Sequence, residues 1–168
     1  MAQRLDVWPR RYRFVFDDSV AALVTPSIVW RGGASFDLGR RRYFVDDFGK
    51  RLEMRIVQGK GEGTAVAEAK STGRTRWALS ADKFAYELRR RGLRGEQHLY
   101  AGAEHVGRVR RQGKDAAADL PSLEKALQAF VMIVALKRWD RFVTEAVGLN
   151  STQPRGRWAP GCTSGHGR

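Results

Sequence analysis

The stretch LQAFVMIVALKRWDR, residues 127–141, decides how the rest of the chain must be arranged. Between Ala126 and Leu136 the only polar residue is Gln128, and Ala129–Leu136 (AFVMIVAL) is apolar at every angle of a helical wheel. Eleven helical residues span roughly 16 Å, about half of a bilayer's hydrocarbon core. Glu124 and Lys125 bound the run on one side, Lys137 and Arg138 on the other, so a membrane span is not expected. A surface helix would carry a polar stripe, whereas a helix that is apolar all round needs burial all round. Its larger side chains, such as Phe130, Met132 and Ile133, are each worth about 1.5–3 kcal/mol when removed from water. The run must therefore be enclosed by its own fold or, failing that, by a second copy in a helical dimer.

The rest of the composition says what kind of fold could do the enclosing. The chain has 168 residues, 42% hydrophobic and 29% charged, which suits one globular domain with a substantial core. Its net charge is +13, with 24 arginines against 7 lysines. That excess favours anionic partners, whether phospholipid head groups, nucleic acid or an acidic protein. A single cysteine, Cys162, excludes an internal disulfide framework, and the first residues show no apolar stretch of the secretory kind. A cytoplasmic protein, soluble or peripheral at a membrane, is the expectation.

Up to about residue 112 the pattern is short strands between turn signals. YRFVF (12–16), VAALV (20–24) and SIVW (27–30) come first. The hairpin RRYFVDDFGKRLEMRIV (41–57) follows, with Asp46-Asp47-Phe48-Gly49 as turn residues and Leu52, Met54 and Ile56 alternating with Arg51, Glu53 and Arg55. After the GKGEG turn (59–63) come TAVAEAK (64–70), RTRWALS (74–80), KFAYELRRR (83–91), QHLYAG (97–102) and HVGRVRR (105–111). Some eight to ten legible strands at this spacing predict an antiparallel sandwich or barrel, each strand with one dry and one wet face. Trp77 and Leu79 are expected inside, as are Phe84, Tyr86 and Leu88, with Trp30 and Tyr100 also assigned to the core. A helix over about 120–148 follows, with Asp119 as N-cap, Pro121 in its first turn and Gly148 as its stop. Trp139 and Phe142 are expected to seal the end of the sheet structure. Residues 149–168, rich in Gly, Pro and Ser, are expected to be a disordered basic tail. An all-β domain over 1–148 that encloses its own C-terminal helix is the composite picture.

At this point the chain resembles the tubby C-terminal-like superfamily, which includes LURP-one-related proteins and phospholipid scramblases. The resemblance rests on the hairpin RRYFVDDFGKRLEMRI, with Tyr43, Val45, Asp47 and Gly49 similar to the family's repeat unit. It rests also on the strands carrying RWALS and GRVRR, and on the helix that ADLP introduces and QAFVMIVAL fills. It covers residues of about 10–140 and is nearest to small bacterial members. It implies a mainly β fold, an antiparallel barrel of about 10–12 strands around a hydrophobic C-terminal helix. It also implies binding to anionic membrane lipids, phosphoinositides among them, through paired basic residues on a strand. Scrambling is not implied, because neither a cysteine-rich lipidated segment nor a calcium-binding stretch is present.

Pairs of arginines two apart on a strand put both guanidinium groups on one face, able to fork around a phosphate. Arg74/Arg76, Arg89/Arg91 and Arg108/Arg110 have this spacing, and Arg94 extends RRRGLR (89–94) into a basic hairpin tip. These seven are the candidate ligand-binding residues. The bland alternative is that a sheet needs a solvated exterior and arginine supplies it. No catalytic residue and no metal site is predicted: Asp46 and Asp47 read as turn residues, His98, His105 and His166 are scattered, and Cys162 with His166 makes only two ligands. No cofactor is expected. The functional expectation is a non-catalytic module that binds anionic lipid head groups, or another anionic partner, through its basic surface. Nucleic-acid binding through the same charge is the alternative, and an enzyme with a loop-built site is a further one.

Overall fold

The structure is a computed structural model. It describes residues 2–4, 12–16, 20–26, 33–57, 63–92, 95–112 and 115–148, with side chains over 14–16, 33–57, 63–92, 95–112 and 116–139. Twelve strands precede one helix: β1 (Ala2–Arg4), β2 (Tyr12–Phe16), β3 (Val20–Pro26), β4 (Ala34–Leu38), β5 (Arg41–Asp47), β6 (Arg51–Val57), β7 (Thr64–Gly73), β8 (Arg76–Ala81), β9 (Phe84–Arg91), β10 (Glu96–Ala101), β11 (Glu104–Gln112), β12 (Asp115–Asp119) and α1 (Lys125–Gly148). The all-antiparallel β architecture with a single C-terminal helix is as the sequence predicts. β4 to β12 form one continuous meander, each strand paired with the next. The full order is β1-β12-β11-β10-β9-β8-β7-β6-β5-β4-β3-β2, that of a closed barrel, with β1 also bonded to β2. Its narrowest seam is β1 to β12, in register at Ala2↔Ala116.

Alternation is the local cause of this sheet. Inward positions are apolar on strand after strand: Tyr43 and Val45 on β5, Leu52 and Met54 on β6, Trp77 and Leu79 on β8, Leu88 on β9 and Val109 on β11 are all buried. The β5–β6 turn closes because Gly49 takes φ +81° and Asp47 Oδ1 accepts its N–H at 2.7 Å. The helix lies against these inward faces. From Ala129 through Trp139 every residue is buried, so the run has no wet side. Its backbone comes closest to β7 and β12, whose buried inward residues are the small Ala67, Ala69 and Ala116. Small side chains there admit the helix, and the large ones on β5, β6 and β8 fill the wider gap elsewhere. Among the described residues no helix is long and apolar enough to cross a membrane.

Several expectations need correction. The helix begins at Lys125 and not near 120, because Asp119 remains in β12 opposite Arg108. Leu120 and Leu123 are buried, and a turn between them (Leu123 N–H to Leu120 O, 3.2 Å) precedes the first helical bond, from Gln128 N–H to Glu124 O. Asp119 is therefore no N-cap, and Pro121 lies ahead of the helix. Phe84 is not core: at the first position of β9, beside the turn at 82–83, it is 65% exposed. The strand predicted over 27–30, Trp30, the side chain of Phe142 and the tail 149–168 lie outside the described residues.

The sequence also misleads at the helix's far end. Lys137 and Arg138 read as charges that halt an apolar run at water, yet they are only 2% and 4% exposed. Lys137 Nζ forms an ion pair with Asp47 and donates to Gly49 O at 3.1 Å, tying the helix to the β5–β6 turn. Arg138 donates to Gln97 Oε1 (2.8 Å), to Thr75 O (3.1 Å) and to Arg74 O (3.0 Å). Trp139 Nε1 donates to Gly95 O at 3.2 Å. Desolvation, with Arg90 adding repulsion, pulls the Arg138 guanidinium down to about 10, which leaves it charged at neutral pH. A buried cation with its acceptors in place is tolerated; one whose partner is removed is not. Asp47→Ala should thus cost roughly 3–5 kcal/mol in denaturant unfolding, and Lys137→Met added to it should recover most of the loss. Equal losses in the single and double variants would show that this pair does not tie helix to sheet.

Candidate functional site

The register of β8 to β11 determines which arginines meet. Residues directly opposite on neighbouring strands share a face, and Arg76 lies opposite Arg89, Arg89 opposite His98, and His98 opposite Arg108. Their chain neighbours Trp77, Leu88, Gln97, Leu99 and Val109 are buried, so this row is on the outer face. Three steps of about 4.8 Å make it roughly 15 Å long. One place nearer the strand ends, Arg91 is opposite Glu96 and Arg110 opposite Ala117, both arginines on the same outer face. Of the seven predicted residues the structure therefore brings together Arg76, Arg89, Arg91, Arg108 and Arg110.

The other two are placed differently. β7 continues to Gly73, which is opposite Arg76, so Arg74 and Thr75 form the two-residue turn. Arg74 is accordingly exposed at a turn, not paired on a strand with Arg76, and it offers its carbonyl to Arg138. Arg94 lies outside the described residues.

The row has an internal anion and an aromatic floor. Glu87 on β9 sits between two arginines: Arg89 Nη2 donates to Oε2 at 2.6 Å, and Arg76 Nε lies 3.6 Å from Oε1. The hydrogen bond from Arg89 holds the Glu87 carboxyl below the ordinary range, against a weaker upward push from desolvation. Beneath Arg89 and Arg91 lies the Tyr100 ring, with guanidinium carbons 4.7 and 5.6 Å from its centroid. The sequence assigns Tyr100 to the core aromatics; it is buried, but on the outer face, beneath arginines. Alternation in QHLYAG, which puts His98 and Tyr100 opposite Leu99, is the signal that places it. Two histidines complete the floor: His98 Nδ1 is 3.1 Å from His105 Nε2, so one nitrogen carries the shared proton, and Glu96 Oε2 is 3.6 Å from His98 Nε2. The Nε of Arg89 is buried and no protein group accepts from it.

Other charged clusters are satisfied among themselves. Arg42 grips Asp37 with two bonds of 2.7 and 3.1 Å, and Arg55 Nε donates to Asp46 Oδ2 at 2.8 Å. Among the described residues no three histidine, cysteine, aspartate or glutamate side chains converge as a metal site would require. Chemically, the β8–β11 face presents several guanidinium groups, held in register, to an anion. Glu87 competes for two of them. Glu87→Gln should therefore elute from a heparin column at higher salt than the parent, by more than a charge-matched Asp82→Asn control. Identical elution of the two variants would mean that Arg76 and Arg89 do not contact the polyanion.

Comparison of this chain with protein-family models, with curated proteins and with solved structures finds no match.

Proposed function

We propose that this protein is a non-catalytic binding module of the tubby-like kind, which holds an anionic partner against the outer face of β8–β11. The head-group layer of an anionic membrane is the partner that fits best. The observation that carries the reading is the cross-strand row Arg76–Arg89–His98–Arg108, with Arg91 and Arg110 beside it. Scattered surface arginines would serve solubility equally well, but a row in register on four adjacent strands sums its fields over one face and suits a planar array of phosphates. The buried apolar run of the helix at the end of an antiparallel meander supports the tubby-like part of the reading.

Nucleic acid would meet the same charge, but the floor of the site disfavours a single strand. Stacking platforms need an exposed ring, and the Tyr100 ring is covered by two guanidinium groups.

Vesicle sedimentation tests the proposal. Phosphatidylserine-containing or phosphoinositide-containing vesicles should bind the protein at low salt and less at physiological salt, whereas phosphatidylcholine vesicles should not. Arg89→Glu/Arg108→Glu should weaken binding at least about tenfold, by the roughly 1 kcal/mol that each basic residue near the surface supplies. Arg40→Glu/Arg41→Glu, with the same change in net charge at the β4–β5 turn, should have a much smaller effect. Equal losses would reduce the interaction to net charge, and displacement of vesicles by equimolar duplex DNA would favour the nucleic-acid alternative.

A further inference from the structure

Consecutive turns of an up-and-down sheet alternate between its two ends. The turns at 48–50, 74–75 and 92–95 therefore share one end, and those at 39–40, 82–83 and 102–103 the other. The helix confirms the grouping, since Lys137, Arg138 and Trp139 bond to Gly49, Thr75 and Gly95. Among the described residues the two ends differ in charge. Around the first stand Lys50, Arg51, Lys70, Arg74, Arg76 and Arg91, with Arg51 directly opposite Lys70. Glu53 and Glu68 pair with Arg51, Glu53 lies also 3.7 Å from Arg55, Glu96 is opposite Arg91, and Asp47 is turned inward to Lys137, which leaves the cations in excess among the described residues of this end. The second end mixes signs, with Arg40, Asp82, Lys83, Glu104 and Glu124.

The basic end also holds out a phenyl ring. Phe48 is 59% exposed at the tip of the β5–β6 turn, with the Arg51 guanidinium 5.6 Å from its centroid. The tip is braced and has little freedom to withdraw the ring. Phe48 N–H donates to Arg51 O (2.9 Å), Lys50 N–H to Phe48 O (3.1 Å) and Ser71 N–H to Lys50 O (2.8 Å), while Lys137 is bonded to Gly49 from inside. Phe84 is as exposed, but it lies at the mixed-charge end beside Asp82 and Lys83 and leans on Tyr86, 6.3 Å between centroids. Among the described residues only Phe48 combines an apolar tip with neighbouring cations. That pairing matches the depth profile of a membrane surface, where phosphates lie above and the acyl boundary lies a few ångströms below.

We infer that the protein docks end-on, with the turn at 48–50 entering an anionic bilayer surface, Phe48 reaching the acyl boundary and the neighbouring cations contacting head-group phosphates. This rests on the lipid reading above and adds the orientation and the anchoring residue. The β8–β11 row opens onto the same end, so these cations and the row make one continuous basic surface.

Vesicles containing phosphatidylserine are the probe. Phe48→Ala should bind them about tenfold more weakly at physiological salt, the scale expected for keeping most of one phenyl ring in water. Phe84→Ala should stay within about twofold and Phe48→Leu should retain most of the binding, since the one leaves the anchor in place and the other keeps it apolar. Elution of Phe48→Ala from heparin should be unchanged, because its cations are intact. If Phe48→Ala binds vesicles like the parent while Arg89→Glu/Arg108→Glu does not, the end-on inference is overturned and the lipid reading stands. If the parent chain ignores anionic vesicles altogether, both fall. If Phe48→Ala melts at the parent's temperature and Phe48→Leu binds no better than it, the ring is not an apolar anchor and the inference falls alone.

Discussion

Between Ala129 and Leu136 the helix has no side to give to water, and the rest of the architecture follows from that constraint. A helix wetted on one face can lie on a sheet, but one dry on every face needs a wall all round. The sheet supplies the wall by alternation, with apolar residues turned inward and mostly polar ones outward. It makes room with alanines on β7 and β12, where the helix comes closest, and fills the wider side with Trp77, Leu52, Met54 and Tyr43. Position along the axis is set differently. Apolar packing is indifferent to small slides, whereas the Lys137–Asp47 pair and the carbonyls that receive Arg138 fix the helix end against particular turns.

The enclosed helix and the basic exterior are two consequences of one pattern. Each strand that turns its apolar residues in must turn something soluble out, and in this chain arginine is the commonest charged residue to serve. Strand pairing then converts a pattern along the chain into a pattern across it. Arg76, Arg89 and Arg108 are far apart in sequence but in line on adjacent strands, and Tyr100 lies under the same line. The floor of Tyr100 and two histidines holds the guanidinium groups with side chains already in place, so an arriving anion finds part of its ordering cost met.

What could be read in advance divides along physical lines. Period-two alternation and the apolar run are local signals, so β2, β3, β5 to β11, the Asp47–Gly49 turn and the buried face of β8 were legible, whereas the short β1, β4 and β12 were not. Lys137 and Arg138 were not, because a charge beside an apolar run reads as solvent contact unless its acceptors are known, and Asp47 lies 90 positions away. Arg74 was assigned to a strand because a two-residue turn without a second glycine or an asparagine leaves little trace. Asp119 has the chemistry of an N-cap, but its strand pairing with Arg108 outweighs that propensity. The row itself was half legible: spacing of two named the pairs, and only register could align them. Phe84 and Tyr100 share one lesson, that an aromatic residue on a strand is core only if its face and its place along the strand agree.

Thiol labelling tests the enclosure of the helix most directly. With Cys162→Ser as background, a cysteine in place of Val134, at the middle of the apolar run, should react only through global unfolding. Its rate should rise with denaturant as steeply as unfolding itself and should not depend on protein concentration. A native-buffer rate near that of the unfolded chain would place the helix in water. A rate that climbs on dilution would mean that a second copy, and not the sheet, covers it, and either result would contradict the account.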